Sequence, residues 1–276
     1  MHGKEWVKIW RDDMLHGLEL HQANYVTHAF ARHMHDYYVL GLIEEGVQKY
    51  WHAGSRYVTT PGGMFVINPG EAHTGEAAIE SGFMYRTLYP DVDLMQRVAS
   101  ELTGHLEGLP SFQAGVIYDP TMSRLVRDLH IALGQELTPL ERESRFLSTF
   151  ALLIGRYGRE HLSERAPGRE QGAARQVRRY LDEHYAEKTT LSELAHLVNF
   201  SPYYLLRIFE REIGISPHAY LESVRIKHAQ DLLARGITQV QVAYELGFSS
   251  QSHFSYRFKR LLGVTPGEYV RLHRSS

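Results

Sequence analysis

Near the C-terminal end, side chains with hydrogen-bonding or stacking ends recur at helical spacing. Tyr203, Leu206, Arg207 and Glu210 share one helical face, and Gln251, Ser252, Ser255 and Tyr256 share another. Arginine, glutamine and serine can hydrogen-bond the edges of base pairs, while tyrosine stacks on sugar or touches a thymine methyl. The chemistry open to such faces is recognition of duplex DNA rather than bond making. The chain has no cysteine, which excludes disulfides, thiolate metal sites and thiol nucleophiles. It shows no nucleophile–base pair and no glycine loop of the kind that cradles phosphate. No enzymatic activity is expected.

The elements that must position these faces are written twice. Ala195 matches Ala243 and Phe200-Ser201 matches Phe248-Ser249 at an offset of 48. Leu205 then matches Phe254, Phe209 matches Phe258, Arg211 matches Arg260, Gly214 matches Gly263 and Pro217 matches Pro266 at an offset of 49. The one-residue difference falls at the turn into the second helix of each copy, where an insertion is tolerable. Each copy reads as a short helix, a turn, a second helix closed by glycine, then Ser-Pro or Thr-Pro opening another helix. Ser201 and Ser249 stand where the second helix needs an N-cap. Leu205, Ile208 and Phe209, and in the second copy Phe254 and Phe258, are spaced to face the core. A long helix over about Ser216–Ala234 joins the copies into a tandem helix-turn-helix domain.

Upstream the texture differs. From about Gly17 to Pro90, short apolar runs such as Tyr37–Glu44 and Met64–Asn68 are bounded by turn signals at Glu45-Gly46, Ala53-Gly54-Ser55, Pro61-Gly62-Gly63 and Pro69-Gly70. This spacing predicts a small β-barrel or sandwich. Apolar periodicity then predicts helices over Asp91–Leu106, Pro120–Gln135 and Thr138–His161. The third, with Phe146, Phe150, Leu153, Ile154 and Tyr157, has a face for packing on the strands or for dimerisation. Ser163–Ala174, polar and rich in Gly, Pro and charge, reads as a linker. The expected division is therefore 1–162, a linker at 163–174, and 175–276.

Charge follows that division. From Arg169 to the end there are 15 Lys and Arg against 11 Asp and Glu, a charge of +4, whereas the preceding residues carry 15 against 21, a charge of −6. Only the C-terminal part suits a polyanion. With 43% hydrophobic and 22% charged residues over 276 positions, the chain reads as globular and water-soluble. Met1–Trp10 lacks the apolar stretch of a signal peptide, no run is long enough to span a membrane, and a cytoplasmic location is expected.

The run IFEREIGISPHAYLESVRIKHAQDLLARG, followed by VAYELGFSSQSHFSYRFKRLLGVTPGEYVR, resembles the signature of AraC/XylS-type transcription regulators. The resemblance covers about Arg175 to Arg271. It implies two recognition helices entering successive major grooves of double-stranded DNA, about 34 Å apart. By position the base readers would be Tyr203, Leu206 and Arg207 in the first copy and Gln251, Ser252, Ser255 and Tyr256 in the second, with Tyr204 beside the first set. Where many relatives carry arginine, aligned with Arg207, this chain has Tyr256. Arg257 is left to contact phosphate, and the first half-site should be read more strictly.

The strand-rich part is similar to the cupin-type ligand-binding domain that often precedes this DNA-binding domain. The similarity rests on His33-Met34-His35, Glu45-Gly46 and the run Pro61–His73. It implies an α+β chain: a cupin-like β-barrel with flanking helices and an internal pocket, then an all-α tandem helix-turn-helix domain. In metal-bearing cupins a HxH pair, a Glu and a later His coordinate a divalent ion. His33, His35 and His73 fit three positions, but Val39 and Leu40 stand where the Glu is expected. Three readings stay open for these histidines: a divalent metal site, the wall of an organic-ligand pocket together with Tyr85 and Arg86, or structural hydrogen bonding. The whole is read as a regulator responding to a small-molecule effector. Its alternatives are a barrel that only dimerises or docks, and a metal-binding cupin sensor or enzyme fused to a DNA-binding module. A homodimer and RNA polymerase are open as further partners, no membrane is expected, and activation or repression is not written in the residues.

Overall fold

The computed structural model describes residues 4–103, 108–158, 170–262 and 264–274. The chain divides into two compact units, one of residues 1–135 with 146–165, the other of residues 136–145 with 166–276. Of the expected linker, 163–169 lie outside the described residues and 170–174 are already helical. No helix among the described residues is long and apolar enough to cross a membrane.

The first unit carries nine strands: β1 (Trp6–Asp12), β2 (Leu18–Tyr25), β3 (Phe30–His33), β4 (Val39–Gly46), β5 (Gln48–His52), β6 (Ser55–Thr59), β7 (Met64–Ile67), β8 (His73–Ala77) and β9 (Phe83–Tyr89). Helices α1 (Val92–Thr103), α2 (Pro120–Leu133) and α3 (Pro139–Tyr157) follow, residues 139–145 of α3 counting with the second unit. The strands form two antiparallel sheets, ordered β1-β2-β9-β4-β7 and β3-β8-β5-β6.

The expected cupin-like barrel is therefore corrected. A barrel requires one ladder that closes on itself with consistent tilt and stagger, whereas each of these sheets ends on two strands not paired with the other sheet. The chain crosses between sheets at tight corners instead. Between β4 and β5 there is only Val47, preceded by Gly46 at φ +70° and a register shift between Ile43 and Glu45. The return from β8 to β9 turns at Gly82, φ +81°, whose carbonyl accepts from Val47 N at 3.2 Å. A Cβ on Gly46 would stand 2.0 Å from that carbonyl oxygen, so the two corners can meet only through glycine. At the β7 edge the coil residue Ile117 bridges to Met64, exchanging both backbone hydrogen bonds with it.

Strand alternation sends odd-numbered residues of the larger sheet toward the smaller one and even-numbered ones outward. Leu20, Leu40, Leu42, Val66 and Leu88 are buried on the outer side, where α2 contacts β4 and β9 and buries Met122, Val126, Leu129 and Leu133.

The second unit is all helical: α4 (Glu170–Glu183), α5 (Leu191–Leu197), α6 (Pro202–Ile213), α7 (Pro217–Ala234), α8 (Gln239–Glu245), α9 (Gln251–Leu262) and α10 (Pro266–Arg274). Both copies open alike. Thr190 with Glu193, and Thr238 with Gln241, form reciprocal capping boxes at α5 and α8. Ser201 caps α6 through Tyr204 N. At α9 the capping hydroxyl belongs to Ser250, which accepts from His253 N at 3.0 Å, and not to Ser249. The extra residue thus lies before the cap, and the offset of 49 begins at Ser201 and Ser250. The turn between helices needs one left-handed residue in each copy, supplied by Asn199 (φ 54°) and Gly247 (φ 70°). Asparagine tolerates that conformation and glycine is free in it. Leu205, Ile208, Phe209, Phe254 and Phe258 are all core residues, and the second copy's core also gathers Val242, Ala243 and Leu246 beside Ile226, Ala229 and Leu233 of α7. Arg225 of α7 is buried and donates to the carbonyls of Tyr185, Glu187 and Gly247 at 2.6, 2.8 and 3.1 Å. One side chain thereby satisfies two carbonyls of the loop between α4 and α5 and one in the turn of the second copy.

Candidate functional site

Two sites emerge, one in each unit. On α6, packing against α4, α5 and α7 leaves a narrow open stripe. Tyr203 and Arg207 are half-buried and Glu210 is exposed, residues four and three apart on one face. Leu206 and Tyr204, expected among the readers, are buried at 2% and 8% exposure. The Tyr204 hydroxyl donates to Glu170 of α4, whose other carboxylate oxygen takes Arg211. On α9 the face is broader. Gln251, Ser252 and Tyr256 are exposed, Tyr256 at 56%, with Ser255 half-buried beside them.

Arg257, expected to reach phosphate, is placed elsewhere. It is buried and ion-paired with Glu141 and, at 3.5 Å, with Glu222. Its Nε donates to His253 Nε2 at 3.1 Å, and His253 Nδ1 lies 2.8 Å from Ser249 Oγ. Because Nε2 accepts, His253 is the neutral tautomer with its proton on Nδ1. Burial, then the Arg257 charge, keeps the His253 pKa below the ordinary histidine value. His218, beside the same cluster, is pushed down to about 4, again chiefly by burial. Glu136 accepts from the hydroxyls of Ser249 and Ser250 at 3.0 and 2.7 Å.

In the first unit the two sheets enclose a cavity of about 400 Å³. The larger sheet contributes only odd-numbered residues, among them His21, Tyr25, Tyr85, Thr87 and Tyr89, and the smaller sheet contributes Phe30, Gln48 and Tyr50. Val7 and Ile9 of edge strand β1 line it while remaining exposed, which marks the mouth. Gly41 has no side chain because Phe65 lies across it, 2.2 Å from where a Cβ would be. The tyrosine hydroxyls are buried phenols. Burial raises Tyr89 to about 12 and Tyr85 further, so they act as neutral hydrogen-bonding groups. Gln48 is buried, and its Oε1 accepts no hydrogen bond among the described residues.

His33, His35 and His73 come together in the wall of this cavity, each offering a ring nitrogen within 4.8 Å of the others. Tyr85 also lines it. Arg86 does not: as the next residue on β9 it points to the opposite face, where its Nε donates to Glu44 at 2.8 Å and its Nη1 meets His130 Nδ1 at 3.1 Å. Burial opposes ionisation of Glu44, yet hydrogen bonds from Arg127 and Arg86 hold its pKa below the usual carboxylate range. Sequence reasoning missed Gln48, Tyr25, Tyr50 and Tyr89. The period-two pattern around His21 and Tyr85 was the signal for the tyrosines, and none pointed to Gln48.

Residues 15–150 match the family model of the AraC-like ligand binding domain, and residues 194–272 match that of a helix-turn-helix domain. The chain is 33% identical over 242 residues to an uncharacterized HTH-type transcriptional regulator of Bacillus subtilis, YbfI, covering 88% of this chain and 87% of that one. It is 27% identical over 252 residues, 87% of each chain, to the HTH-type transcriptional activator RhaS of an Enterobacter strain. The solved C-terminal domain of AraT, a response regulator from Geobacillus stearothermophilus, is 33% identical over 38% of this chain and 88% of that one, with a TM-score of 0.36. These relatives are regulators by name, and none is named as an enzyme.

Proposed function

The chain belongs to the AraC family of helix-turn-helix transcription regulators, and from that premise we propose how its two sites divide the work. It is a sequence-specific DNA-binding regulator with an N-terminal effector domain, and it is not an enzyme. In our reading, α6 and α9 enter adjacent major grooves. Arg207 and Tyr203 read bases in the first, and Gln251, Ser252, Ser255 and Tyr256 read them in the second. Leu206, Tyr204 and Arg257 support these helices from within.

The cavity is where the effector binds. The observation that carries this is Gln48 Oε1, a buried acceptor without a donor among the described residues, in a wall of tyrosines. A buried polar atom left unpaired costs about 1–3 kcal/mol, a cost that a ligand hydroxyl, amide or amine donor would remove. The aromatic faces and neutral phenols suit a small, uncharged, hydroxyl-bearing molecule. Arg86, committed to Glu44, offers no cation to an anionic one. For such a ligand to switch DNA binding it must favour one arrangement of the protein over another.

The test is a thermal-shift screen of neutral polyhydroxy and phenolic metabolites, followed by operator binding with and without each hit. A hit that raises the Tm of the wild type, fails with Gln48→Leu and changes operator affinity is the expected result. Hits confined to anionic compounds, or unaffected by Gln48→Leu, would overturn the assignment. No hit at all would favour a first unit that only dimerises or docks.

A further inference from the structure

We propose that His33, His35 and His73 form a three-imidazole site for a divalent transition-metal ion in the cavity wall, with its remaining coordination position open to the cavity. Strand pairing brings the first and last together. His33 closes β3 and His73 opens β8, and the two are directly opposed in the antiparallel register. The rings of His33 and His73 are 4.4 Å apart between centroids, His33 and His35 4.7 Å, and His35 and His73 5.2 Å.

The orientation of two of the rings is set from behind. His33 Nδ1 lies 2.7 Å from the Ala31 carbonyl, and His73 Nδ1 lies 3.0 Å from that of Glu71. A carbonyl only accepts, so each Nδ1 carries the proton and each Nε2 keeps its lone pair. Neither Nε2 makes a protein hydrogen bond among the described residues. A backbone carbonyl behind each ring fixes the tautomer in the manner typical of metal-ligating histidines. His52, opposite His73 on β5, is held apart from the cluster, with its Nε2 committed to Glu71 at 2.7 Å. Neutral His35 keeps one lone pair as well, so the three rings together offer one lone pair each to a cation.

Tetrahedral coordination at about 2.0–2.1 Å sets ligand nitrogens roughly 3.4 Å apart, so ring nitrogens now within 4.8 Å of one another need to close by little more than an ångström. Three nitrogens and no thiolate suit zinc, nickel, copper or ferrous iron over magnesium or calcium. Three protein ligands leave an open position of the kind a metal uses to take an exogenous donor. The site shares the cavity assigned above to the effector, but ion uptake is measured without effector, so either assignment can fail alone.

The experiment uses untagged full-length protein, stripped with chelator and dialysed, then titrated calorimetrically with zinc and with cobalt(II), whose visible bands report imidazole coordination. One ion per chain is expected, with cobalt bands of a tetrahedral nitrogen site. His33→Ala and His73→Ala should each weaken uptake at least tenfold and abolish those bands, and His184→Ala, at a histidine of the second unit, should leave both unchanged. His73 is buried, so His33→Ala, on a half-buried ring, carries the test if His73→Ala does not fold. Wild-type protein that takes up no ion would overturn the proposal. So would an ion whose affinity and cobalt spectrum survive in His33→Ala, which would put it on others of the 17 histidines.

Discussion

The two helix-turn-helix copies share one plan and differ in what fills it. At matched positions the first has Tyr204 and Ile208 where the second has His253 and Arg257, Asn199 where the second has Gly247, and Arg207 where the second has Tyr256. Helix α6 is backed by apolar packing and a tyrosine hydroxyl, and its outer side carries Tyr203, Arg207 and Glu210 beside the exposed, ion-paired Arg211. Helix α9 is backed by an ion cluster of Arg257, Glu141 and Glu222, and its outer side is uncharged from Gln251 to Tyr256 before the exposed Lys259 and Arg260. Arg257 of α9 stands in the interior, and Tyr256 has the outward place. The two copies share a backbone plan and distribute their polar side chains differently between interior and surface.

The largest expected effect tests that buried cluster. Arg257→Ala takes from the buried Glu141 one of its two arginine partners, leaving Arg145, and from the half-buried Glu222 its 3.5 Å ion pair; it should cost on the order of 3 kcal/mol, measured by urea unfolding of the full chain. Loss of DNA affinity with no loss of stability would instead return Arg257 to the phosphate backbone. Next comes the turn. Gly247→Ala forces an L-residue into φ 70° with its Cβ 2.3 Å from the Ala186 carbonyl oxygen, a penalty of at least about 1–3 kcal/mol. Asn199→Gly, its counterpart, should change stability by less than about 1 kcal/mol.

Acid should separate the copies further. His218 takes a proton at about 4 when folded and near the ordinary value of about 6.5 when unfolded. Between these values the unfolded chain binds more protons, so this contribution is intact above about 6.5 and lost as pH falls toward 4. His253 shifts in the same direction. Around these rings stand Glu141, Arg145, Arg257 and Arg260, with Glu136 on the His253 side. Tyr204 and Ile208 do not titrate in that window. Hydrogen exchange at pH 7 and pH 5, corrected for intrinsic rates, should show α9 losing protection before α6; equal loss would remove the distinction. In readout, Arg207→Ala should cost on the order of 1–3 kcal/mol against the preferred site and relax specificity in the first half-site, by quantitative footprinting. Tyr256→Ala should cost less. An unchanged footprint with Arg207→Ala would remove it from the base readers. Smallest are the caps: Thr190→Ala and Thr238→Ala should each lower stability by about 1 kcal/mol, and unequal losses would show that the copies are not equally dependent on their capping boxes.

Much of the second unit was legible because its rules are local. The repeat, the core phenylalanines and the helix starts follow from spacing and capping, and only Ser249 was placed one residue early, as the inserted residue precedes the cap. Burial of Leu206 and Tyr204 was not legible, since it depends on how α4 covers α6. Arg257 was assigned to phosphate because a charged residue on a recognition helix reads as exposed until its carboxylate partners are known. In the first unit the strands and the three histidines were visible, but closure was not, because whether a sheet closes depends on the corners at Gly46 and Gly82. Arg86 could have been placed correctly: it follows Tyr85 on one strand, and the pleat sends neighbours to opposite faces.

Strand β9 lies between β2 and β4 in the larger sheet, though it is the last strand of the unit to leave the ribosome. Until residues 83–89 emerge, β2 and the apolar β4 must each wait with an unpaired edge, as both draw their β9 ladder from that later segment. Unpaired apolar edges of this kind are where nascent chains aggregate. Synthesis of the first 89 residues is accordingly this protein's period of greatest exposure, and translation pauses or chaperone engagement would matter most there. The helices of the second unit, built mainly from near-sequence contacts, escape that risk.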